Sequence, residues 1–345
     1  MKILHVLQSG RFSGAENVVC QIINMLKNDE NIEMAYCSHD GQIREVLKEK
    51  EIKFIPFEKL TKKEIKRIIN EYKPDLIHAH DMRATYVVSK ACGKIPFVSH
   101  VHVNTSNSRK LNLRSIAFYS AAKKAKHIYW VSDTAFNQFY FNKSLANKSS
   151  ILYNIIDIDD LYRKMEEDKQ SYNYDVLFIG RLVEQKDPHR LLKISNMLKI
   201  RKPDIKIAVV GTGELLEELK QEASMLGLDN NVTFLGYQTN PTKILHDAKI
   251  MLMTSRFEGT PMSALEAMAL GTPIVSTPVD GLKELITNDE NGSLSNDDGI
   301  IANKILEYLS NENIYNILSK NQIKKAKIWN DKENYKNKLL EVYTK

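Results

Sequence analysis

Cysteine is scarce in this chain of 345 residues, and the chain contains no long apolar run. The three cysteines, Cys20, Cys37 and Cys92, are odd in number and lack the short spacing of a zinc site. This usage is typical of a protein in a reducing compartment. Because no stretch of 18 apolar residues occurs, no membrane-spanning helix is expected.

Several motifs of common enzyme classes are also missing. The chain has no phosphate-binding loop of the form Gly-x-x-x-x-Gly-Lys-Ser/Thr, no Cys-x-x-Cys and no nucleophile elbow with a Ser-His-Asp set. Repeats, low-complexity tracts and coiled-coil heptads are absent. The opening residues 1–7 are too short for the apolar region of a signal peptide and predict a first strand. We therefore expect a cytoplasmic protein.

Short apolar runs alternate with longer helical patterns, which is typical of parallel βαβ units. Candidate strands lie at residues 3–7, 33–37, 53–55, 76–79, 96–101 and 127–131, and then at 176–179, 206–210, 232–235, 250–253 and 273–276. Each half begins with a strand and a glycine-bearing loop. We predict an α/β protein of two doubly wound domains, with the linker in 157–175 and a terminal helix around 329–343. Ligands bind beyond the carboxyl ends of such strands, so two facing domains define a cleft.

The net charge of +6 lies in the first half of the chain. Residues 1–170 have 27 Lys and Arg against 20 Asp and Glu, and the remainder has 22 against 23. One basic group is Lys59, Lys62, Lys63, Lys66 and Arg67; a second is Arg109, Lys110, Arg114, Lys123, Lys124 and Lys126. The second is interleaved with Leu111, Leu113, Ile116, Phe118 and Tyr119. Such a helix can bind an anionic bilayer, but a solvated helix packed on the core is the simpler interpretation. No nucleic-acid-binding motif accompanies the charge.

A helix start and stop are marked in the second half. Thr260 suits the N-cap, and Pro261 suits the first helical position, where a missing N–H costs nothing. Gly271 and Pro273 mark the end of the helix.

Glu258 and Glu266 flank this helix start. The free amides from Gly259 to Met262 would bind an anion between the two carboxylates. A ligand with an anionic centre and hydroxyls at both ends, such as a nucleotide-sugar, fits the pattern. On spacing alone, an amphipathic helix with two surface glutamates is the simpler interpretation.

The segment 255–281 resembles the signature of the retaining GT-B glycosyltransferases of family four, the "glycosyl transferases group 1" domain. That signature has two glutamates with seven residues between them, then Ala-Met-Ala, Gly-x-Pro and a glycine turn. The matching residues here are Glu258, Glu266, Ala267-Met268-Ala269, Gly271-Thr272-Pro273 and Asp280-Gly281. Asp280 replaces the first glycine of the turn. The resemblance implies two facing Rossmann-like domains: residues 1–165 for the acceptor and 170–325 for the nucleotide-sugar, with 326–345 as a helix that returns to the first domain.

The resemblance also implies roles for single residues. Arg181 and Lys186 match the Gly-Arg-Leu…Lys motif, whose cations neutralise the donor diphosphate. Glu266 would hold the ribose hydroxyls and Glu258 the hydroxyls of the donor sugar. Catalytic roles are thus implied for Glu258, Arg181, Lys186 and His102. Donor contacts are implied for Glu266, Gly259, Thr260, Pro261, Met262, Gly14, Gly213 and Tyr237.

Two glycine loops are less specific. Gly211-Thr212-Gly213 follows a strand, but Leu216 occupies the third glycine position of a dinucleotide fingerprint, which disfavours an NAD site. A tight turn explains this loop as well as a nucleotide contact does. Ser13 replaces the first glycine of a family loop in which Gly14 is retained.

Two His-x-His pairs, His78/His80 and His100/His102, predict imidazoles on one face of a sheet. With Asp81 adjacent, they could hold a metal ion. Ordinary hydrogen-bonded histidines are the simpler interpretation for the first three. His102 matches a family position that contacts the donor sugar.

The resemblance therefore implies a retaining, metal-independent glycosyltransferase without a cofactor. Its expected partners are a UDP- or GDP-linked sugar, a glycan or polyprenyl-diphosphate-linked acceptor in cell-surface polysaccharide assembly such as capsule or lipopolysaccharide, and an anionic membrane surface on the cytoplasmic side. Alternatives are a metal-dependent hydrolase that uses the histidine pairs, a non-catalytic subunit or scaffold, and a sugar-nucleotide epimerase of the same fold.

Overall fold

The computed structural model describes residues 1–102 and 108–344. The chain forms two compact units, Met1–Ile155 with Asp331–Lys345, and Ile156–Asn330. The sequence predicted divisions at 165–170 and at 325–326, so the observed boundaries differ by about ten residues and by five. Among the described residues, no helix is both long enough and apolar enough to cross a bilayer. Cys20, Cys37 and Cys92 are buried free thiols.

The first unit contains a seven-stranded parallel sheet of order β3-β2-β1-β4-β5-β6-β7. Its strands are β1 Lys2–Val6, β2 Glu33–His39, β3 Phe54–Phe57, β4 Leu76–His80, β5 Phe97–Val101, β6 His127–Trp130 and β7 Ser149–Ile151. Its helices are α1 Gly14–Leu26, α2 Ile43–Glu49, α3 Lys62–Tyr72, α4 Asp81–Ala91, α5 Leu113–Ala122, α6 Asp133–Asn137 and α7 Asn142–Leu145, and a 3-10 turn follows at Ala146–Lys148. β4 and β5 are buried along their whole length, as expected of central parallel strands covered on both faces.

The second unit contains a six-stranded parallel sheet of order β10-β9-β8-β11-β12-β13. Its strands are β8 Val176–Ile179, β9 Ile207–Val210, β10 Val232–Gly236, β11 Ile250–Met253, β12 Ile274–Ser276 and β13 Gly292–Leu294. Its helices are α8 Ile158–Glu167, α9 Pro188–Arg201, α10 Leu216–Met225, α11 Thr242–Asp247, α12 Met262–Leu270, α13 Leu282–Leu285, α14 Asp298–Ser310 and α15 Glu312–Trp329, with a 3-10 turn at Glu184–Lys186. Two doubly wound α/β domains are therefore confirmed.

The terminal helix α16, Lys332–Thr344, belongs to the first unit. It buries Tyr335, Leu339 and Tyr343. The hydroxyl of Tyr343 lies 2.7 Å from Nδ1 of His78, and the Tyr129 hydroxyl donates to the carbonyl of Lys338 at 2.7 Å. These contacts attach the end of the chain to the strands of the first sheet.

The expected linker contains a helix. Asp157 caps α8 by accepting from the amide of Asp160 at 3.3 Å. Tyr162 then donates to the carbonyl of Ala269 at 3.0 Å, and Asn240 donates to the carbonyl of Lys164 at 2.7 Å. The acidic first turn that made this stretch look like a linker is a normal helix N-terminus, where carboxylates stabilise the helix dipole.

Candidate functional site

The centre of the candidate site in the second unit is an ion pair between Lys186 and Glu258. Nζ of Lys186 lies 2.5 Å from Oε1 of Glu258, and the Ser255 hydroxyl donates to the same oxygen at 2.5 Å. The exposed fractions of the two charged side chains are 15% and 6%. The pair forms because β8 and β11 are parallel neighbours, so the loops after them lie at the same edge of the sheet.

Hydrogen bonds fix these two loops to each other. Thr254 donates through its hydroxyl to the carbonyls of Lys186 and Asp187, both at 2.9 Å. The amide of Arg256 donates to the carbonyl of Gln185 at 2.9 Å, and the Gln185 side chain donates to the carbonyl of Phe257 at 3.1 Å. The position of Lys186 relative to Glu258 is therefore set by backbone contacts as well as by charge.

Arg181 lies in the same loop as Lys186 but is exposed. Its guanidinium donates to the side chain of Gln185 at 3.0 Å. Lys186 thus faces a carboxylate, whereas Arg181 faces solvent and one neutral amide, and the two predicted phosphate-binding cations have different surroundings.

Position 213 requires a glycine because the backbone of Leu182 lies against it. A Cβ atom at Gly213 would lie 2.1 Å from the carbonyl oxygen of Leu182, and the Leu182 amide donates to the carbonyl of Thr212 at 2.9 Å. This loop therefore braces the loop that carries Arg181 and Lys186.

The turn at Gly281 is equally tight. A Cβ atom there would lie 2.2 Å from the carbonyl oxygen of Gly259, which accepts from the Gly281 amide at 3.1 Å. Asp280, with φ of +35°, accepts from the amide of Glu258 at 2.8 Å through its carboxylate. The aspartate that replaces a family glycine therefore orients the backbone of the first glutamate. The departure from the family pattern at Asp280 is a sequence signal, but spacing alone does not place this residue beside the Glu258 amide.

The helix start differs from the prediction by one residue. Thr260 was expected to be the N-cap, but Pro261 takes that position with φ of −71° and ψ of 126°, and α12 begins at Met262. The fixed φ of proline suits an extended cap, and the Pro261 carbonyl accepts from the amide of Ala264 at 3.1 Å. Gly271 ends the helix with φ of +77°, as predicted.

Glu266 lies in the second turn of α12 and is partly exposed. Burial raises the pKa of its carboxyl to about 7, although the cation of Lys164 lowers it. The other predicted donor residues near it, Gly259 to Met262, are buried. Tyr237 follows β10 and is 46% exposed; β8 and β9 separate its strand from β11 in the sheet.

Five buried histidines form an array on one face of the first sheet. They come from β1, β4 and β5 and from the residue after β5: His5, His78, His80, His100 and His102. Neighbouring rings are stacked or tilted, with centroids 4.3 to 5.5 Å apart. Burial lowers the pKa of His5 and of His102 to about 3 and those of the other three well below the usual range. The array is therefore neutral at physiological pH.

Three of these rings are joined in a chain. Nδ1 of His5 lies 3.0 Å from Nε2 of His80, and Nδ1 of His80 lies 2.9 Å from Nε2 of His102. A neutral imidazole donates through one nitrogen and accepts through the other, so the tautomer of each ring fixes that of the next. Nδ1 of His102 is buried and has no hydrogen-bond partner among the described residues. It is an acceptor in one tautomer set and a donor in the other.

Hydrogen bonds were expected for His78, His80 and His100, and the structure shows them for only some of these residues. His78 is hydrogen-bonded to Tyr343, as expected, but neither nitrogen of His100 has a partner within the described part of the chain. His5 was missed: it lies opposite His78 in the β1–β4 register, which sequence spacing did not indicate. Ligand atoms of two sets, His5 with His78 and His80, and His80 with His100 and His102, lie within 4.8 Å of one another.

A cavity of about 860 Å³ lies at the carboxyl ends of β1, β2 and β4, beside this array. Its lining includes Gly10, Glu16, His80 and Asp81. Ser13 donates to Oε2 of Glu16 at 2.5 Å, and desolvation raises the pKa of that carboxyl. Asp81 has φ of +67°, which is rare for a residue with a side chain and frequent at functional sites. Gly14, expected to contact the donor, is the exposed first residue of α1.

Family profiles match almost the whole chain. One described as Glycosyl transferases group 1 matches residues 163–327, and one described as Glycosyltransferase Family 4 matches residues 12–160. This chain belongs to the family four glycosyltransferases. The two matches fall on the two units, and the fold is GT-B.

Relatives and solved structures agree with this assignment. An uncharacterized glycosyltransferase of Methanocaldococcus jannaschii is 32% identical over 237 residues, which is 62% of this chain but only 58% of that protein. The Escherichia coli UDP-Gal:alpha-D-GlcNAc-diphosphoundecaprenol alpha-1,3-galactosyltransferase is 24% identical over 93% of this chain and 91% of its own length. The crystal structure of HepE from Anabaena in complex with UDP-glucose has a TM-score of 0.87 and 24% identity, with 100% of this chain and 99% of that one covered.

Proposed function

We propose that this family four glycosyltransferase transfers a sugar from a nucleotide-linked donor to a glycan or lipid-linked acceptor, with retention of the anomeric configuration. The observation that carries the proposal is the shielded Lys186–Glu258 pair beside the start of α12. It joins a cation, a carboxylate and the first amides of a helix, which are the groups that a diphosphate flanked by sugar hydroxyls requires.

In this proposal the second unit holds the donor. Lys186 and Arg181 neutralise the diphosphate, together with the amides at the start of α12. Glu258 accepts from hydroxyls of the sugar and Glu266 from those of the ribose. The Lys186 ammonium would stabilise the negative charge that develops on the leaving phosphate, an effect worth about 3 kcal/mol for one well-placed donor.

The first unit would hold the acceptor in the cavity lined by Glu16, His80 and Asp81. His102, whose Nδ1 lacks a partner in the described structure, would bind a hydroxyl of the donor sugar. The departing phosphate would take the proton of the attacking acceptor hydroxyl in a front-face substitution. The carboxylate of Glu258 is engaged by Lys186 and Ser255, which fits a positioning role better than that of a nucleophile.

The donor and acceptor classes are inferred from relatives. HepE was crystallised in complex with UDP-glucose, and the E. coli relative is named for a UDP-linked donor and a diphosphoundecaprenol-linked acceptor. We infer a UDP- or GDP-linked hexose and a polyprenyl-diphosphate-linked or polysaccharide acceptor, used on the cytoplasmic side of a membrane. Capsule, exopolysaccharide and lipopolysaccharide assembly all use such acceptors.

A thermal-shift screen tests the donor site first. UDP, GDP, ADP and CMP are compared with and without EDTA, because a ligand that binds only the folded state raises its stability. We expect UDP or GDP to raise the midpoint with EDTA present, and we expect this shift to be lost in Glu266→Ala. A shift that needs a metal ion would favour the histidine-based hydrolase, and no shift with any nucleotide would favour a scaffold.

Transfer is then measured with labelled UDP- and GDP-sugars and a short-chain polyprenyl diphosphate glycan. NMR of the product gives the anomeric configuration, and retention is expected. An inverted product would contradict the mechanism. Conversion of the donor sugar to an epimer without any acceptor would identify the epimerase alternative.

A further inference from the structure

A long part of the first unit has no acidic residue. Residues 82–132, 51 in all, contain no Asp or Glu. The same stretch contains nine basic residues, Arg83, Lys90, Lys94, Arg109, Lys110, Arg114, Lys123, Lys124 and Lys126. Ordinary solvated surfaces mix both signs of charge. This separation of charge along the chain favours an anionic partner.

Helix α5 lies in this stretch and exposes apolar side chains. Its inner face buries Ser115, Phe118, Ala121 and Ala122. On the opposite side, Leu113 is 85% exposed and Ile116 44%, and Leu111 just before the helix is 57% exposed. A single exposed leucine is common, but three large aliphatic side chains within six positions form an apolar patch.

The start of this helix is firmly held. The side chain of Asn112 accepts from the amides of Arg114 and Ser115 at 2.9 and 3.0 Å, and the Asn112 amide donates to the Ser115 hydroxyl oxygen at 3.0 Å. This capping box fixes Leu111 and Leu113 in their exposed positions, so they do not fold back onto the core.

The cations around the patch lack carboxylate partners. Lys110, Arg114, Lys123 and Lys124 are exposed, and none forms an ion pair among the described residues. On α3, the other basic helix of this unit, Arg67 instead pairs with two glutamates of its own helix. Carboxylates on α3 thus pair with one of its cations, whereas α5 has no carboxylate of its own.

We propose that Leu111, Leu113 and Ile116, with the four cations around them, dock the first unit onto an anionic lipid bilayer. Cations alone would suit any polyanion, but the aliphatic patch gains only where hydrocarbon can cover it. Each Lys or Arg near an anionic bilayer strengthens binding about fivefold. The inference rests on the proposed function in one respect, since docking would bring the acceptor site to a lipid-linked substrate.

Flotation of the full chain with vesicles tests the surface. Vesicles of phosphatidylcholine with 30% phosphatidylglycerol, taken as about a third anionic lipid, are compared with pure phosphatidylcholine at low and high salt. We expect binding to the anionic vesicles that weakens with salt. Leu113→Ser/Ile116→Ser should reduce it about tenfold or more, and Lys123→Gln/Lys124→Gln should reduce it about as much.

Two controls separate this surface from general effects. Lys62→Gln/Lys63→Gln, on α3, removes the same net charge, and Met225→Ser removes an apolar side chain that is 80% exposed in the second unit. Both should bind vesicles like the unaltered protein, and all variants should keep its circular dichroism and unfolding midpoint. An equal loss of vesicle binding in the controls would overturn the proposal. So would binding that Leu113→Ser/Ile116→Ser leaves unchanged, or no vesicle binding by the unaltered protein.

Different results would contradict the docking surface and the transferase activity. Leu113→Ser/Ile116→Ser should transfer sugar to a water-soluble, short-chain acceptor at the normal rate and lose activity only on acceptor embedded in vesicles. If the unaltered protein binds vesicles but transfers no sugar, the transferase proposal fails and the docking surface stands.

Discussion

The ammonium of Lys186 lies 2.5 Å from a carboxylate oxygen of Glu258, although 72 positions separate the two residues in the chain. Both side chains are largely shielded from water. Desolvation of a shielded ion pair cancels most of the gain from its attraction, and the hydrogen bond from Ser255 offsets part of that cost. The pair is therefore better explained as a means of orienting two charges toward a ligand than as a source of stability.

Removal of one partner should then cost more than removal of both. Lys186→Met leaves the Glu258 carboxylate buried without its cation, and we expect the second unit to lose about 3 kcal/mol of unfolding free energy. Lys186→Met/Glu258→Gln should recover much of that loss.

Urea unfolding followed by Trp329 fluorescence in a Trp130→Phe background checks this, since these are the two tryptophans of the chain. Lys220→Met, which breaks an exposed pair with Glu217, is the control and should cost less than about 1 kcal/mol. Additive effects in the double variant would contradict this account.

The contribution of Glu266 to the unfolding free energy should change with pH in the opposite direction to that of an ordinary ion-paired carboxylate. Burial raises its pKa from 4.5 to about 7, so the folded protein keeps a proton that the unfolded chain releases. Below pH 4.5 the carboxyl is protonated in both states and does not change the unfolding free energy. As the pH rises from 4.5 toward 7, it lowers the unfolding free energy. Glu266→Gln should therefore gain about 1–2 kcal/mol relative to the unaltered protein between pH 4.5 and 7.5, a value reduced for partial exposure. The same urea measurement at both pH values tests it.

The pH dependence of ligand affinity gives a second measure of the titration of Glu266. An ionised Glu266 accepts hydrogen bonds from ribose hydroxyls better than a protonated one, so uridine affinity should increase as the pH rises from 6 to 8. Uridine is used because it has no phosphate that titrates in this range. In Glu266→Gln the affinity should be low and independent of pH. A pH dependence that persists in this variant would assign the titration to another group.

The histidine array should make the first unit sensitive to acid. Its five imidazoles have pKa values below 6.5, so the stability they provide is present above pH 6.5 and is lost as the pH falls and the unfolded chain takes up protons. Each contributes up to about 1.4 kcal/mol per pH unit. Burial raises the pKa of Glu16 in the same unit, so this carboxyl acts in the other direction with one proton, and the five imidazoles outweigh it.

The measurement is urea unfolding between pH 7.5 and 5, followed by Trp130 fluorescence in a Trp329→Phe background. Stability should fall steeply in this range, and His100→Phe should reduce the slope by about one proton. His189, whose pKa is raised by its hydrogen bond to Glu222 in the second unit, is the control. His189→Gln should leave the slope of the first unit unchanged. A flat profile would mean that the imidazoles are accessible to water in solution.

Strands were the part of the fold that the sequence predicted best. All eleven candidate strands are present, with ends shifted by at most two residues, because buried parallel strands are continuous apolar runs. The two strands that were missed, β7 and β13, have three residues each and lie at sheet edges. Their sequences, Ser-Ser-Ile and Gly-Ser-Leu, contain no such run.

Contacts between distant residues could not be predicted from spacing. Arg181, Lys186 and Glu258 were candidates by resemblance, but the ion pair depends on β8 and β11 being neighbours, which is a property of strand order. His5 was overlooked for the same reason, since only the β1–β4 register sets it opposite His78. Local patterns predicted candidate site residues, and the topology determined which of these candidates meet.

Glycine positions offer the sharpest steric test of the candidate donor site. Gly213→Ala would bring a Cβ atom to 2.1 Å from the Leu182 carbonyl oxygen, so the loop that carries Arg181 and Lys186 must move. Gly180→Ala is the matched control at the start of that same loop, since its Cβ atom would meet only ordinary contacts at 3.5 Å. We expect Gly213→Ala to weaken UDP binding about tenfold or more, as a displacement of about 1 Å can do, and Gly180→Ala to bind UDP normally. Calorimetric titration of both variants, with unfolding midpoints measured alongside, checks this. Equal affinities would mean that the brace on Leu182 has no part in holding the phosphate-binding loop, and that Gly213 serves only the turn after β9.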